Sequence, residues 1–244
     1  MGEGVFMIPK TIHYCWFGGK QKPKLAQRCI ESWKKYCPDY EIIEWNESNF
    51  DVNQNPYTKL CYQQQKWAFL SDYVRLWAVF HYGGIYFDTD VEVLRSFDSL
   101  LSHEAFYGFE SSEYIASGLG FGAVAHHATT EAMLKKYDAL TDEFGNLKTV
   151  GCPTLNTEAL ISLGMKPNGE KQTVAGAVLL PLDYLNPLED ATGIVRKTKN
   201  TLSIHWYTKS ALDWKIVLRS RITRPLHRLF GKDCFAVLKK FLRR

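Results

Sequence analysis

Hydrophobic residues fall along the chain in two rhythms, short continuous runs and longer stretches of helical period. Residues 8–17 form an apolar, β-branched and aromatic run stopped by Gly18-Gly19, which predicts a first strand. Within residues 24–36, Leu25, Cys29, Ile30 and Trp33 return at helical spacing, and Pro38 bars further helix. Residues 40–45 predict a second strand and residues 46–55 a polar loop. Residues 56–82 carry the longest helical signal. Its second half, with Trp67, Phe69, Leu70, Val74, Leu76, Trp77, Val79 and Phe80, is apolar almost all round and reads as buried. Gly83-Gly84 ends that helix, and residues 85–87 predict a short buried strand.

Further on, residues 105–109 and 118–124 predict strands, 129–140 and 153–163 helices, and 174–180 and 201–206 late strands. From about Ser210 the chain reads as helical and basic. Strands alternating with helices at this spacing predict an α/β fold with a mostly parallel central sheet. Ligands of such sheets bind beyond the carboxyl ends of the strands. The turn Trp16-Phe17-Gly18-Gly19 and the segment Asp88-Thr89-Asp90 both fall at such ends.

Composition narrows the picture. A hydrophobic share of 45% against 23% charged residues in 244 is that of a folded domain able to bury a core without staples. Six cysteines show no CxxC pair and no metal-ligand spacing, so they read as reduced structural thiols of a cytoplasmic protein. No run approaches 18 apolar residues, and residues 1–10 lack a basic segment followed by an apolar one. Neither a transmembrane helix nor a signal peptide is therefore expected. Charge is uneven: residues 215–244 hold ten Lys/Arg and one acid, a net +9, against −5 for the rest. Two segments are expected, a catalytic domain over residues 1–209 and a basic amphipathic helical tail over 210–244. In the tail Ile216, Val217, Ile222, Leu226, Leu229 and Phe230, then Phe235, Val237, Leu238, Phe241 and Leu242, recur among Lys and Arg. That pattern suits a helix lying in an anionic membrane interface, at the inner face of the plasma membrane. The alternative is a helix packed on the domain by its apolar side. A basic run without a reading motif gives no ground for nucleic-acid binding.

The candidate chemistry centres on Asp88 and Asp90. Carboxylates at i and i+2 just past a strand can turn toward one hard cation, which accepts phosphate oxygens as well. A cation bridging a diphosphate neutralises the leaving group as its bond breaks. Asp72 and Arg75 lie three apart on the buried helix, so they share a face and need partners there. They read either as a structural ion pair or as groups delivered toward Asp88 to hydrogen-bond sugar hydroxyls.

At this point the sequence resembles a known family. Ile8-Pro-Lys-Thr-Ile-His-Tyr-Cys-Trp-Phe-Gly-Gly19, Ser71-Asp-Tyr-Val-Arg75 and Gly83-Gly-Ile-Tyr-Phe-Asp-Thr-Asp90, in that order, are similar to glycosyltransferase family 32. That family includes bacterial capsular and surface polysaccharide enzymes and yeast initiating α-1,6-mannosyltransferases. The glucosylating domains of large clostridial toxins are more distant relatives. The resemblance is strong over about residues 8–100 and loose beyond. It implies a GT-A fold, a Mn²⁺ or Mg²⁺ cofactor, a nucleotide-sugar donor, a saccharide acceptor and retention of configuration. It also implies roles by position. Trp16 matches a tryptophan stacking on the base, and Asn49 a polar contact near the nucleoside. Ser71, Asp72 and Arg75 match donor-sugar contacts, and Tyr86 lies beside the nucleotide. Asp88 matches a carboxylate reaching ribose, sugar and metal, and Asp90 the direct metal ligand. Ser203-Ile-His205 through Ser210 matches a late segment whose histidine is a further metal ligand, with Ala211 where relatives carry tryptophan. His13 reads as a structural histidine.

Two rivals use the same residues. A haloacid-dehalogenase-type phosphatase carries an apolar strand followed by DxDx(T/V), and Asp88-Thr-Asp90-Val91 fits, with Asp88 as nucleophile. Against it, 87 residues precede the motif and no later paired-acid motif follows. A non-catalytic nucleotide-sugar-binding protein is the other rival, separated by donor turnover. The leading expectation is a metal-dependent retaining glycosyltransferase of bacterial capsular or surface polysaccharide synthesis. UDP-sugars are favoured over GDP-sugars as donors, and a lipid-linked acceptor fits the basic tail. Oligomeric state is not legible from one sequence.

Overall fold

The computed structural model describes residues 7–142, 144–208, 223–229 and 231. Strand β1 (Thr11–Cys15) runs parallel to β2 (Glu41–Trp45) through the helix α1 (Lys24–Tyr36), as the hydrophobic periods predict. The long helical signal then divides, which corrects the single helix expected over 56–82. It forms α2 (Pro56–Gln63) and α3 (Trp67–Tyr82). Between them Gln65 is left-handed at φ 54°. Lys66 N donates back to Cys61 O at 2.8 Å, and Gln64 N to Leu60 O at 3.0 Å. The run Gln63-Gln64-Gln65-Lys66 has no apolar side chain to bury, so nothing opposes the turn. The break lets Trp67 meet the Tyr62 ring edge-on, centroids 5.4 Å apart, and lie under Gly18, where a Cβ would stand 2.8 Å from the indole.

Seven strands form the main sheet in the order β2-β1-β3-β6-β5-β8-β7, with β3 (Gly84–Tyr86), β5 (Ala105–Gly108), β6 (Phe121–Ala123), β7 (Gln172–Val174) and β8 (Ala177–Leu180). Five strands, β2, β1, β3, β5 and β8, run one way, while β6 and β7 run against them. The sheet is therefore mostly parallel, as expected. The single strand predicted over 174–180 is a hairpin instead, because Ala175 and Gly176 are both left-handed and make a two-residue turn. A second pairing, absent from the sequence reading, joins β4 (Val91–Val93) antiparallel to β11 (Ser203–His205) and so brings a late segment back beside residues 88–90.

Side chains alternate across the sheet and feed two cores. Ile85 and Phe87 face the one holding Ile12, Tyr14 and Trp33 of α1; Tyr86 faces the other, with α3, α4 (Ala128–Lys135) and α5 (Cys152–Ser162). Asp88, two residues past Tyr86, thus turns toward α3. His13 is structural: Trp45 Nε1 donates to its Nδ1 at 3.1 Å, so Nε2 carries the proton and donates to Gly83 O at 2.8 Å. Burial holds its pKa down to about 4 against the opposing Gly83 bond, keeping it neutral. The five described cysteines are buried and free.

Of the expected tail, residues 210–222, 230 and 232–244 lie outside the described residues. Residues 223–229 are helical and approach the hairpin of β9 (Leu188–Glu189) and β10 (Ile194–Val195) with their basic side. Arg224 Nη2 donates to Asp190 Oδ1 at 2.7 Å, and Arg228 Nε to Thr192 O at 2.5 Å. Leu229 is left 76% exposed. Within residues 223–229, arginines rather than leucines meet the domain; the rest of the segment that the packing alternative concerns lies outside the described residues. Among the described residues no helix is long and apolar enough to cross a membrane.

Candidate functional site

The carboxyl end of β3 is where charges converge. Arg75, buried on α3, reaches across to two acids: Nη2 lies 2.9 Å from Asp72 Oδ1 and 2.9 Å from Asp88 Oδ1. Its Nε donates to Ser71 O at 3.3 Å, while Nη1 has only long contacts, 3.5 Å each, to Ser117 Oγ and Cys152 Sγ. Burial works against the charged guanidinium, but Asp88 and its other neighbours outweigh it, and Arg75 stays protonated. Burial pushes the Asp72 carboxyl up to about 6 against the pull of Arg75. The Cys152 backbone N–H, in the first turn of α5, donates to that same carboxyl.

Asp88 is also held from below. Tyr86 donates its hydroxyl to Asp88 Oδ1 at 2.8 Å, and the guanidinium lies 5.0 Å over the Tyr86 ring. The tyrosine is 1% exposed, so the place beside the nucleotide expected of it becomes a place beneath Asp88. Residues i and i+2 of an extended segment share a face, which puts its hydroxyl under that carboxylate rather than at the surface.

Asp90 faces the late strand. His205 Nε2 is 3.0 Å from Asp90 Oδ1, and Thr208 donates both its N–H and its hydroxyl to Asp90 Oδ2 at 2.8 Å. Burial would raise the Asp90 carboxyl; His205 and Thr208 outweigh it and hold it well below the usual range. Burial raises Asp88, opposed by Arg75 and reinforced by the neighbouring Asp90.

Asp88, Asp90 and His205 each offer a ligand atom, all within 4.8 Å of one another, the one such group among the described residues. The set suits a divalent cation. Carboxylate and imidazole are both accepted by Mn²⁺. The acids Asp72, Asp88 and Asp90 outnumber the lone guanidinium. His205 Nδ1 is buried with no partner, and Nε2 spends its bond on Asp90 Oδ1, a position a cation would share.

The remaining expected residues sit nearby or support the turn. Trp16, half-buried, follows β1 at the same sheet end and donates Nε1 to Lys20 O at 2.6 Å. Ser71 Oγ donates to Trp67 O at 2.9 Å within its own helix. Asn49 is exposed and closes the loop after β2: its Nδ2 donates to Glu44 O at 2.8 Å and its Oδ1 accepts from Asn46 N at 2.9 Å. Ser210 and Ala211 lie outside the described residues.

Sequence reading missed Gly118, Cys152 and Thr208. A Cβ at Gly118 would stand 2.5 Å from Asp88 Oδ2 and 3.1 Å from Arg75 Nη1, so only glycine leaves room for both charges. The glycine-rich run Ser117-Gly-Leu-Gly-Phe-Gly122 was the available signal. Nothing local marks Cys152 or Thr208, whose parts arise from chain return.

Comparison with known proteins matches residues 23–107 to the family model described as glycosyltransferase sugar-binding region containing DXD motif. Over 122 residues the chain is 32% identical to inositol phosphoceramide mannosyltransferase 3 of Schizosaccharomyces pombe, covering 47% of this chain and 33% of that protein. Over 147 residues it is 27% identical to mannosyl phosphorylinositol ceramide synthase SUR1 of Saccharomyces cerevisiae, covering 54% and 36%. The chain thus spans about a third of the length of these curated relatives. Among solved structures, the PaToxG glycosyltransferase is 18% identical over 64% of this chain and 70% of its own, with a TM-score of 0.48.

Proposed function

We propose that this chain, which over residues 23–107 matches the DXD-containing sugar-binding region of glycosyltransferases, is a metal-dependent retaining glycosyltransferase. The observation that carries the reading is the convergence of Asp88, Asp90 and His205 within 4.8 Å, beside the buried Asp72–Arg75 pair. In this reading Trp16 stacks on the donor base, and Asn49, held by its turn, offers an edge to the nucleoside. Arg75 Nη1, with only long contacts at present, turns to a sugar hydroxyl together with Asp72, while Ser71 lines the same helix face. Asp88, fixed by Arg75 and Tyr86, accepts hydrogen bonds from ribose and sugar. Asp90 and His205, with Asp88, hold the cation, which when bound neutralises the departing diphosphate. The acceptor hydroxyl gives its proton to the leaving phosphate oxygen on the face the donor vacates, so configuration is retained and no opposite carboxylate is needed. Against the dehalogenase-type phosphatase, one oxygen of Asp88, its supposed nucleophile, is held by both Arg75 and Tyr86.

Mannose is the first sugar to try, because one curated relative is named an inositol phosphoceramide mannosyltransferase and another a mannosyl phosphorylinositol ceramide synthase. Those names also speak for a lipid-linked acceptor, whether in surface polysaccharide synthesis or in glycolipid synthesis. The expected result, in a panel of UDP- and GDP-sugars with Mn²⁺, is release of nucleoside diphosphate from one donor and loss of it with EDTA. No release from any donor, with acceptor glycosides present, would overturn the reading and leave a binding protein. Release that EDTA leaves intact would overturn the metal dependence.

A peripheral membrane contact belongs to the same proposal. Arg224 and Arg228 anchor residues 223–229 to the domain and turn Leu226 and Leu229 outward, next to a chain segment rich in Lys and Arg. Apolar side chains flanked by cations suit an anionic interface. Full-length protein should co-sediment with phosphatidylserine-containing vesicles at low salt, and Leu226→Ser with Leu229→Ser should weaken this roughly tenfold. Equal binding of the double variant, or none by the parent chain, removes the membrane role.

A further inference from the structure

One fully buried amide beside Arg75 has no part in the chemistry above. Asn156 lies on α5 one turn after Cys152, so the two side chains share a helix face. Both reach the surroundings of Arg75. Cys152 Sγ is 3.5 Å from Arg75 Nη1, and Asn156 Oδ1 accepts the Ser117 N–H at 2.9 Å. Ser117 closes the triangle, its Oγ lying 3.5 Å from the same Nη1. Asn156 is 0% exposed, and its Nδ2 is buried with no partner. One end of the amide is therefore used and the other is not. An unpaired buried donor costs stability, so what the side chain contributes lies in the bond at Oδ1.

That bond holds the chain where a small displacement is felt by the site. Ser117 opens the short turn Ser117–Leu119 before β6, and Gly118 is the next residue. A Cβ at Gly118 would meet Asp88 Oδ2 at 2.5 Å and Arg75 Nη1 at 3.1 Å, so the backbone here is a wall against which both charged groups lie. Other bonds of the turn are weaker. Ala116 N donates to Gly108 O and Leu119 N to Ala116 O, both at a long 3.4 Å. Ile115 N donates to Thr157 Oγ1 at 2.9 Å, a bond of the same kind from the same helix, but three residues before Gly118. Release of the Ser117 N–H would let the wall shift, and with it the directions in which the Arg75 guanidinium and the Asp88 carboxylate point.

We propose that Asn156 is a positioning residue of the donor-sugar site: by holding Ser117 it sets the Ser117–Gly118 wall against Arg75 and Asp88, and so the aim of both groups at the sugar. The inference rests on the glycosyltransferase reading above. The test compares three measurements on the full chain: turnover of the sugar donor that the panel identifies, affinity for the matching UDP or GDP with Mn²⁺, and the thermal melt. Asn156→Leu keeps the size and removes the acceptor. It should lower donor turnover about tenfold or more, the scale of a small misplacement near a reacting centre. The nucleoside diphosphate carries no sugar, so its affinity should stay within about twofold of the parent. Asn156→Asp, which keeps an oxygen in the place of Oδ1, should recover part of the turnover. Thr157→Val removes the neighbouring bond to Ile115 and is the control for a purely structural hold. Its melt should fall about as far as that of Asn156→Leu, with turnover within about twofold of the parent. Should Asn156→Leu not fold, Asn156→Ser, too short to reach Ser117, takes its place with the same expectations. Parent turnover in the Asn156 variant that folds overturns the proposal. So does an equal loss in Thr157→Val, or a loss matched by the same loss of nucleoside diphosphate affinity. An inert parent chain sinks the glycosyltransferase reading and this one with it; an active parent with an unaffected Asn156 variant sinks only the role of Asn156.

Discussion

Asp90→Asn is expected to lower donor turnover about a hundredfold or more with Mn²⁺ present, the scale on which removal of one preorganised charge-stabilising group acts. The substitution keeps size and shape. The remaining carbonyl can still accept from Thr208, and the new amide can donate to His205 Nε2 once the imidazole carries its proton on Nδ1, so the turn at residues 205–208 keeps its bonds to Thr208. What disappears is the negative charge that faces the cation, and with it neutralisation of the departing diphosphate. The melting temperature should therefore move little while nucleoside diphosphate release nearly stops. Turnover close to that of the parent protein would refute the central claim about Asp88 and Asp90.

Arg75→Ala is expected to abolish turnover and also to destabilise the fold, by about 3–5 kcal/mol. The guanidinium side chain is 4% exposed and is the cation shared by Asp72 and Asp88. Its removal leaves two carboxylates facing each other without compensation. In a chain of this size such a loss lowers the melting temperature by roughly 10 °C. The alanine variant alone thus confuses structure with chemistry. Arg75→Lys separates them, because it keeps the charge but not the planar fork that serves Asp72 and Asp88 together. We expect its melt to fall much less than that of Arg75→Ala while turnover still drops tenfold or more. A lysine variant with normal turnover would make Arg75 a structural ion pair only.

Much of this arrangement is legible along the chain. The 24–36 helix is read at its observed bounds because an amphipathic period and Pro38 define it locally. Asp88 and Asp90 are found because an apolar strand ends just before them. Asp72 and Arg75 are found because charges three apart in a buried helix must have partners. The break at Gln65 escapes reading, since α2 and α3 carry continuous helical signals and only the packing of Trp67 beneath Gly18 rewards a turn there.

The sequence by itself determined most of the local elements, the α/β class and the acids of the site, because periodicity and the chemistry of short motifs are properties of neighbouring residues. Only the tertiary structure decided what those acids touch. Pairing of β11 with β4 carries His205 and Thr208 over more than a hundred residues to Asp90, and the first turn of α5 brings Cys152 to Asp72. It also decided that Tyr86 supports Asp88 from within the core, that Gly118 leaves the space the charges occupy, and that Arg224 and Arg228 rather than leucines face the domain. The physical reason is common to all of these: a buried charge must find its partner wherever the folded chain brings one near, and that partner is chosen by strand pairing and packing, not by position along the sequence.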